Sequence, residues 1–459
     1  MTARRERTMF VAAMSSPRLI LAIGFVVYIA YAYPGYMSSD SVVALEQARS
    51  HVFSDWHPPA MAALWSVVEL FITGPFGMLL VQGSLFLIGI YRILRRDLGA
   101  RRAAVAAVAI LLFPPVLAPM GVIWKDSQMA ALFLFGISLL SETRSVPKWI
   151  GVALLAVGTA MRANAAAATL PIFLLLYTWR HGMRWWKRLA IGLVMWTATV
   201  GAATATNHLL TRVNNHAWHC SVALADLIGV LKTSRTYSDA ELLQIFDGTP
   251  LVVHEKIFIH ARTFYNATTW WPADNGPNRM FDWPTNELQR DAITRAWRTL
   301  VLDNPLAYFY HRLRVFREVL GLTYKPVFDP VWTVHMDQTQ QPDQSALPST
   351  VQRALVAVVS WFARATPLVR PYIYFYLAFI LLPLARRHRD VIALLASGIV
   401  YEFTMFPFAP SPDFRYSHWM IVCTVISIVI LVRRRARGIH ESIEPIALSP
   451  DTPVQKSKP

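Results

Sequence analysis

Three carboxylates, an imidazole and three fixed cations stand where long apolar runs break off in this chain. Asp40 lies in Ser38-Ser39-Asp40-Ser41, and Asp55-Trp56-His57-Pro58-Pro59 follows in the same short polar stretch, so two carboxylates and an imidazole share one loop. Such groups remove a proton from a hydroxyl. Lys125-Asp126, Met161-Arg162-Ala163-Asn164 and Asp413-Phe414-Arg415-Tyr416 interrupt apolar sequence further on. Lys125, Arg162 and Arg415 are cations of the kind that bind a phosphate oxyanion, with Asp126, Asn164 and Tyr416 in support. Carboxylates beside phosphate-binding cations suit displacement at a phosphate-linked carbon. Each residue has a plainer use as well. Asp40 could cap a helix from about 41 to 50, Asp55 the helix opening at the prolines and Asp126 the helix after it, with Lys125 snorkelling outward. Arg162 could simply pair with Asp40, Asp55 or Asp126, and Arg415 could sit in an ordinary capped turn.

The elements that position these residues are membrane spans. Over 459 residues, 54% are hydrophobic and only 16% charged, and the mean hydropathy is +0.36, which excludes a soluble globule. Apolar runs long enough to cross about 30 Å of hydrocarbon occur at roughly 17 to 36, 75 to 92, 103 to 120, 127 to 141, 149 to 161, 165 to 179, 189 to 209, 371 to 385, 391 to 408 and 415 to 432. Basic residues cluster between them: Arg4, Arg5, Arg7 and Arg18; Arg92 to Arg102; Arg144 and Lys148; Arg180 to Arg188; Arg386 to Arg389; and the tail from Arg433. Ten crossings put every cluster on the cytoplasmic side, with both termini inside. The stretches 59 to 73 and 351 to 366 would break that parity and are expected to lie in the outer interface. Fifteen apolar residues reach only about 22 Å, so Lys125, Asp126 and Arg162 should sit recessed below the outer headgroups, where a charge requires a partner or a ligand.

Four parts follow: a seven-span core over 1–209 with the acidic first outer loop 36–73; an extracytoplasmic part over 210–370; a three-span part over 371–432; and a cytoplasmic tail over 433–459. Within the second, Ser238-Asp239-Ala240-Glu241 opens a helix as a capping box, 292 to 302 and 308 to 320 are helix-like, and Trp270, Trp271, Pro272, Pro277, Trp283 and Pro284 make an aromatic, turn-rich loop. This part is near neutral, so the formal charge of +16 reflects topology rather than a polyanion-binding surface, and nucleic acid is excluded as a partner. The two cysteines form no redox or metal motif, and no Walker-type loop, GxGxxG after a strand or HExxH occurs. No cofactor is required; Asp40, Asp55 and His57 could hold a divalent cation.

An acid directly after the first span and an H-P-P element opening an interfacial helix, here Asp40 and His57-Pro58-Pro59, resemble the GT-C membrane glycosyltransferases. The likeness is nearest to the protein O-mannosyltransferase and lipid A aminoarabinose transferase type, family 39-like, and covers about residues 1 to 210, including the Lys125-Asp126 step. The resemblance implies a multi-helix membrane core with interfacial helices and a soluble outer insertion. It also implies a polyprenyl-phosphate sugar donor and a lipid, glycan or protein acceptor outside the cytoplasm. By motif, Asp40 matches the loop acid at the catalytic base. Many members carry adjacent acids there, whereas Ser41 follows Asp40, which makes Asp55 the candidate second carboxylate.

The expectation is thus an all-α polytopic inner-membrane protein of about ten spans that transfers a hexosyl or pentosyl group from a lipid-phosphate carrier in the cell envelope, with Asp40, Asp55 and His57 catalytic and Lys125, Arg162 and Arg415 on the donor phosphate. The competing readings are a lipid-linked glycan polymerase or ligase, and a transporter. Repeated halves with helices broken at the midplane would favour the transporter, and the sequence shows no such repeat.

Overall fold

The chain is an all-α polytopic membrane protein, described by a computed structural model over residues 16–177, 184–269, 273, 276–323, 330–336 and 348–443. Arg4, Arg5, Arg7, Arg180, Trp270, Trp271, Pro272 and the tail beyond 443 lie outside the described residues.

Every expected crossing coincides with helix: Pro17–Ala32, Pro75–Leu98, Ala100–Leu111 with Pro114–Met120, Lys125–Leu140, Ser145–Ala160, Ala165–Leu176, Trp185–Leu210, Pro371–Leu384, Arg389–Phe403 and His418–Ile443. Four of these segments are long and apolar enough to cross a membrane, five if the bent pair is one span. The third expected crossing is not one straight helix. Phe113 precedes Pro114 in an extended conformation, as the proline ring demands, and the two halves meet at 69°. The stretches expected at the interface form Ala60–Glu69 and Thr350–Ala365, with Leu70, Phe71, Val351, Val358 and Trp361 exposed.

The basic ends of the helices converge. Arg434 donates to Asp97 at 2.8 Å and to Asp390 at 2.6 Å, tying the ends of three helices that the charge pattern assigns to one side. Arg92 pairs with Glu142 at 2.5 Å on the same face. Gly99, at φ +75°, is the single residue between Pro75–Leu98 and Ala100–Leu111; any side chain there would be strained in the left-handed region, so this reversal among arginines needs glycine. Deeper in, a Cβ on Gly136 or Gly151 would come within 3.0 or 2.8 Å of the other's carbonyl oxygen, so Lys125–Leu140 and Ser145–Ala160 pack backbone to backbone.

At the opposite face, backbone pairing fixes the first loop. The Tyr36 N–H donates to Gly121 O at 3.0 Å and the Ile123 N–H to Tyr36 O at 2.9 Å. Ser41 Oγ donates to Ile123 O at 2.9 Å, and Trp124 Nε1 donates to Ser38 Oγ at 2.8 Å. These four bonds hold the helix Ser39–Ser50 against the start of Lys125–Leu140. A two-stranded parallel pair, Phe53–Ser54 with Thr211–Val213, joins the same loop to the far end of Trp185–Leu210. Beyond it, Val222–Leu231, Asp239–Ile245, Ile257–Phe264, Glu287–Asp303 and Pro305–Val319 enclose a second apolar core around Leu224, Leu227, Phe258, Ile293 and Leu300. The expected capping box is present: the Glu241 N–H donates to Ser238 Oγ at 3.3 Å and the Ser238 N–H to Glu241 at 2.8 Å.

Candidate functional site

A cavity of about 470 Å³ opens between the first loop, the break at 162–164, the turn 410–416 and the start of the helical outer region. Asp40, His57, Lys125, Arg162, Asn164, Arg415 and Tyr416 all line it. Seven of the nine residues singled out from sequence therefore converge, although they come from four separate stretches of chain. Asp126 lies just behind the wall.

Asp40 is free for this because it does not cap its helix. Ser38 is the N-cap residue, and its N–H donates to Ser41 Oγ at 3.1 Å, so the two serines close the first turn between them. Asp40 Oδ1 instead lies 3.2 Å from His57 Nε2, and Oδ2 meets Arg415 Nη2 at 2.7 Å. Lys125 does not snorkel outward: its Nζ lies 2.6 Å from His57 Nδ1. A carboxylate can only accept, so the Nε2 that faces Asp40 carries a proton, while Nδ1 faces the Lys125 amine. Burial first, and the charge of Lys125 second, push His57 below its ordinary value and favour the neutral ring. Enclosure raises the Asp40 carboxyl, but Arg415, His57 and Lys125 outweigh it and hold the group well below the usual carboxylate range. Asp40 is therefore ionised, though 30% of its side chain is still open to the cavity.

Arg415 is the hub. Besides Asp40, its Nε meets Asp413 at 2.8 Å and approaches Asp126 at 4.0 Å, and the guanidinium lies over Trp124 at 4.8 Å and Tyr416 at 5.7 Å. Arg162 pairs with Asp126 at 2.5 Å, donates to Asn164 Oδ1 at 3.2 Å and stacks over Tyr416 at 4.9 Å. The carboxylate of Asp126 is 1% exposed and also accepts from Tyr401 OH at 3.4 Å. Its N-cap role falls away, since Trp124 occupies that position. Three carboxylates and three cations thus balance across the cavity wall.

Asp55 is the exception to the expected set. It does not line the cavity; its carboxylate accepts from the backbone N–H groups of Asn215 and, at 3.2 Å, of His216, pinning the first loop to the segment after Trp185–Leu210. A second carboxylate beside Asp40 is therefore not supplied by Asp55, and with it goes the third ligand of a divalent site on Asp40 and His57. Among the described residues no group of three or more His, Cys, Asp or Glu could hold a metal ion.

No family model matches the sequence, and no curated protein matches it. Among solved structures it is similar to the crystal structure of ArnT from Cupriavidus metallidurans bound to undecaprenyl phosphate, at 14% identity over 92% of this chain and 78% of that chain, with a TM-score of 0.33.

The sequence left three participants unassigned. Asp413 carries Arg415 on its carboxylate, Trp124 supplies the ring beneath that guanidinium, and Tyr401 reaches Asp126 from a helix 275 residues away. Asp413 and Trp124 had local signals, standing two residues before Arg415 and one before Lys125; Tyr401 had none.

Proposed function

We propose that the chain is a membrane glycosyltransferase that moves a sugar from a polyprenyl-phosphate donor to a hydroxyl on a lipid, glycan or protein acceptor of the cell envelope. The observation that carries the reading is a single one: a carboxylate, Asp40, paired with the Arg415 guanidinium, stands in a cavity wall that also holds Lys125 and Arg162. In the reaction, Asp40 takes the proton of the acceptor hydroxyl as its oxygen attacks the anomeric carbon. The bond from that carbon to the phosphate oxygen breaks, and the electron pair leaves on the phosphate. Lys125, Arg162 and Arg415 stabilise the charge that develops there. A single displacement inverts the anomeric centre.

Charge balance adds a step. Arg162 is committed to Asp126, whereas Arg415 is shared among carboxylates, so an incoming phosphate competes with Asp40 for Arg415. As the guanidinium turns to the phosphate, Asp40 loses the charge that keeps it acidic and becomes the stronger base. The face bearing Arg92, Arg96, Arg386 and Arg434 is cytoplasmic in this reading, both termini lie inside, and the cavity opens outside the cytoplasmic membrane.

The test is transfer by the purified protein in vesicles, supplied with a labelled polyprenyl-phosphate sugar and envelope extract as acceptor source. Label should leave the lipid-linked pool only where the cavity face is accessible to both substrates. A pool that stays intact, or that is consumed only from the arginine-rich face, overturns the reading.

A further inference from the structure

The helical outer region buries an ion pair that the proposed chemistry does not use. Asp226 on Val222–Leu231 is 1% exposed; its carboxylate accepts from Trp297 Nε1 at 2.8 Å and forms ion pairs with His311 Nε2 at 3.1 Å and Arg312 Nη2 at 2.6 Å. Tyr265 OH lies 3.0 Å from His311 Nδ1. Since Nε2 faces a carboxylate it carries the proton, Nδ1 accepts from the tyrosine, and the imidazole is neutral, in keeping with a burial that pushes His311 down. The ring is held tightly: a Cβ on Gly229 would come within 2.1 Å of Nδ1. Burying a charged pair is costly, and apolar residues of similar volume often serve stability as well, so the pair by itself does not account for the arginine.

What the arginine does with its other nitrogen supplies the reason. Arg312 Nη1 leaves the outer region and donates to Ala409 O at 3.0 Å. Ala409 begins the turn that runs through Pro410 and Ser411 to Asp413, and those three residues form part of the cavity wall. Asp413 then accepts from the Arg415 backbone N–H at 3.2 Å and pairs with the guanidinium, its carboxylate 2.8 Å from Nε. One guanidinium fork therefore spans from the anchored Asp226 to the turn that aims the hub cation. An ammonium cannot replace it, because a point charge on a flexible stem cannot hold both acceptors in a fixed fork.

We infer that Arg312 is a positioning residue for the site, setting the turn 409–413 and through it the place of Arg415. As an effect on transfer this rests on the glycosyltransferase reading; as an effect on phosphate binding it is measured separately. The groups that face Asp40 and govern its protonation are His57, Lys125 and Arg415, and of these only Arg415 is held by the turn.

The experiment compares wild type with two variants. Arg312→Lys keeps the charge opposite Asp226 and loses the reach to Ala409. Asp226→Asn combined with Arg312→Met removes both charges, so that a folding defect from an unpaired buried ion does not decide the outcome. Each is titrated with farnesyl phosphate, and the acid limb of kcat/KM for transfer is recorded. Both variants are expected to bind farnesyl phosphate about fivefold more weakly or worse, the worth of roughly one hydrogen bond. Their acid limb is expected at higher pH, because Asp40 loses part of the Arg415 charge that depresses it; a purely structural role would leave that limb in place. Wild-type affinity and an unmoved limb in both variants overturn the inference and leave the functional reading standing. Failure of the wild type itself to bind farnesyl phosphate overturns both.

Discussion

Asp40→Asn protein is expected to insert and accumulate normally while losing at least about 10²-fold in transfer rate. The helix does not depend on the charge at this position, because Ser38 and Ser41 close its first turn without Asp40, and Arg415 keeps Asp413 as a partner at 2.8 Å. Asparagine matches aspartate in volume and keeps one oxygen for either His57 Nε2 or Arg415 Nη2, which lie 3.2 and 2.7 Å from the two carboxylate oxygens. It cannot take up the acceptor's proton. The pH dependence carries the same signature. Asp40 is held well below the ordinary carboxylate value, so its ionised form is present above that lowered value and lost only as the pH falls through it. The acid limb of kcat/KM, which reports the free protein, should therefore lie below that of a free aspartate, while the limb of kcat, which reports the donor complex, should lie higher once the phosphate has drawn Arg415 away. Transfer by Asp40→Asn at a near wild-type rate, or coincident limbs, would remove Asp40 as the base.

Arg415→Ala is expected to cost about 2 to 5 kcal/mol in affinity for a polyprenyl phosphate, or at least roughly 30-fold in Kd, the usual penalty when a recessed charge-assisted contact is lost. The side chain is 10% exposed, meets Asp40 and Asp413 at 2.7 and 2.8 Å, and lies over the Trp124 ring, so little else in the wall can replace it. Arg162→Ala should behave differently. Arg162 is the close partner of Asp126, whose carboxylate is 1% exposed, and its removal strands a buried charge, so that variant should lose thermal stability before it loses donor. Titration of both purified variants with polyprenyl phosphate, beside thermal melting, separates the two. Wild-type affinity in Arg415→Ala would return this arginine to pairing alone.

Polar residues that interrupt apolar runs were legible because a charge near membrane depth is costly unless a partner or a ligand meets it. That logic brought out Asp40, Lys125, Asp126, Arg162 and Arg415, and the structure gathers four of them on one cavity wall with Asp126 behind it, paired to Arg162. It could not separate Asp40 from Asp55, since the distinction depends on Asn215 and His216, whose backbone N–H groups reach Asp55 across some 160 residues. Spacing within one loop carries no trace of such a partner. The capping alternative for Asp40 stayed open in the sequence for a related reason: Ser38 and Ser41 fulfil the capping pattern as well as an aspartate does, and only the positions of His57 and Arg415 show where Asp40 is spent. The outer region gave up its capping box and its two longest helices, which depend on local pattern, and withheld the Asp226–His311–Arg312 group. A faint signal was available. His311 and Arg312 precede the buried Val315 and Phe316 by one helical turn each, which places an imidazole and a guanidinium on the apolar face of their helix.

Spans were the more legible part of the fold, and their ends less so. Charge parity located the basic face, which Arg434 binds together through Asp97 and Asp390, whereas the proline pair at 114 and 115 bends what reads in sequence as one uninterrupted crossing.

The central claim is that a lipid-linked phosphate sits against Arg415 within reach of Asp40, and an experimental structure of the protein bound to a polyprenyl phosphate tests it most directly. The account predicts phosphate density in the 470 Å³ cavity, within hydrogen-bonding distance of Arg415 and facing Lys125, with the contact between Arg415 and Asp40 opened. Phosphate density elsewhere on the molecule, with Arg415 still closed on Asp40 and Asp413, would contradict it.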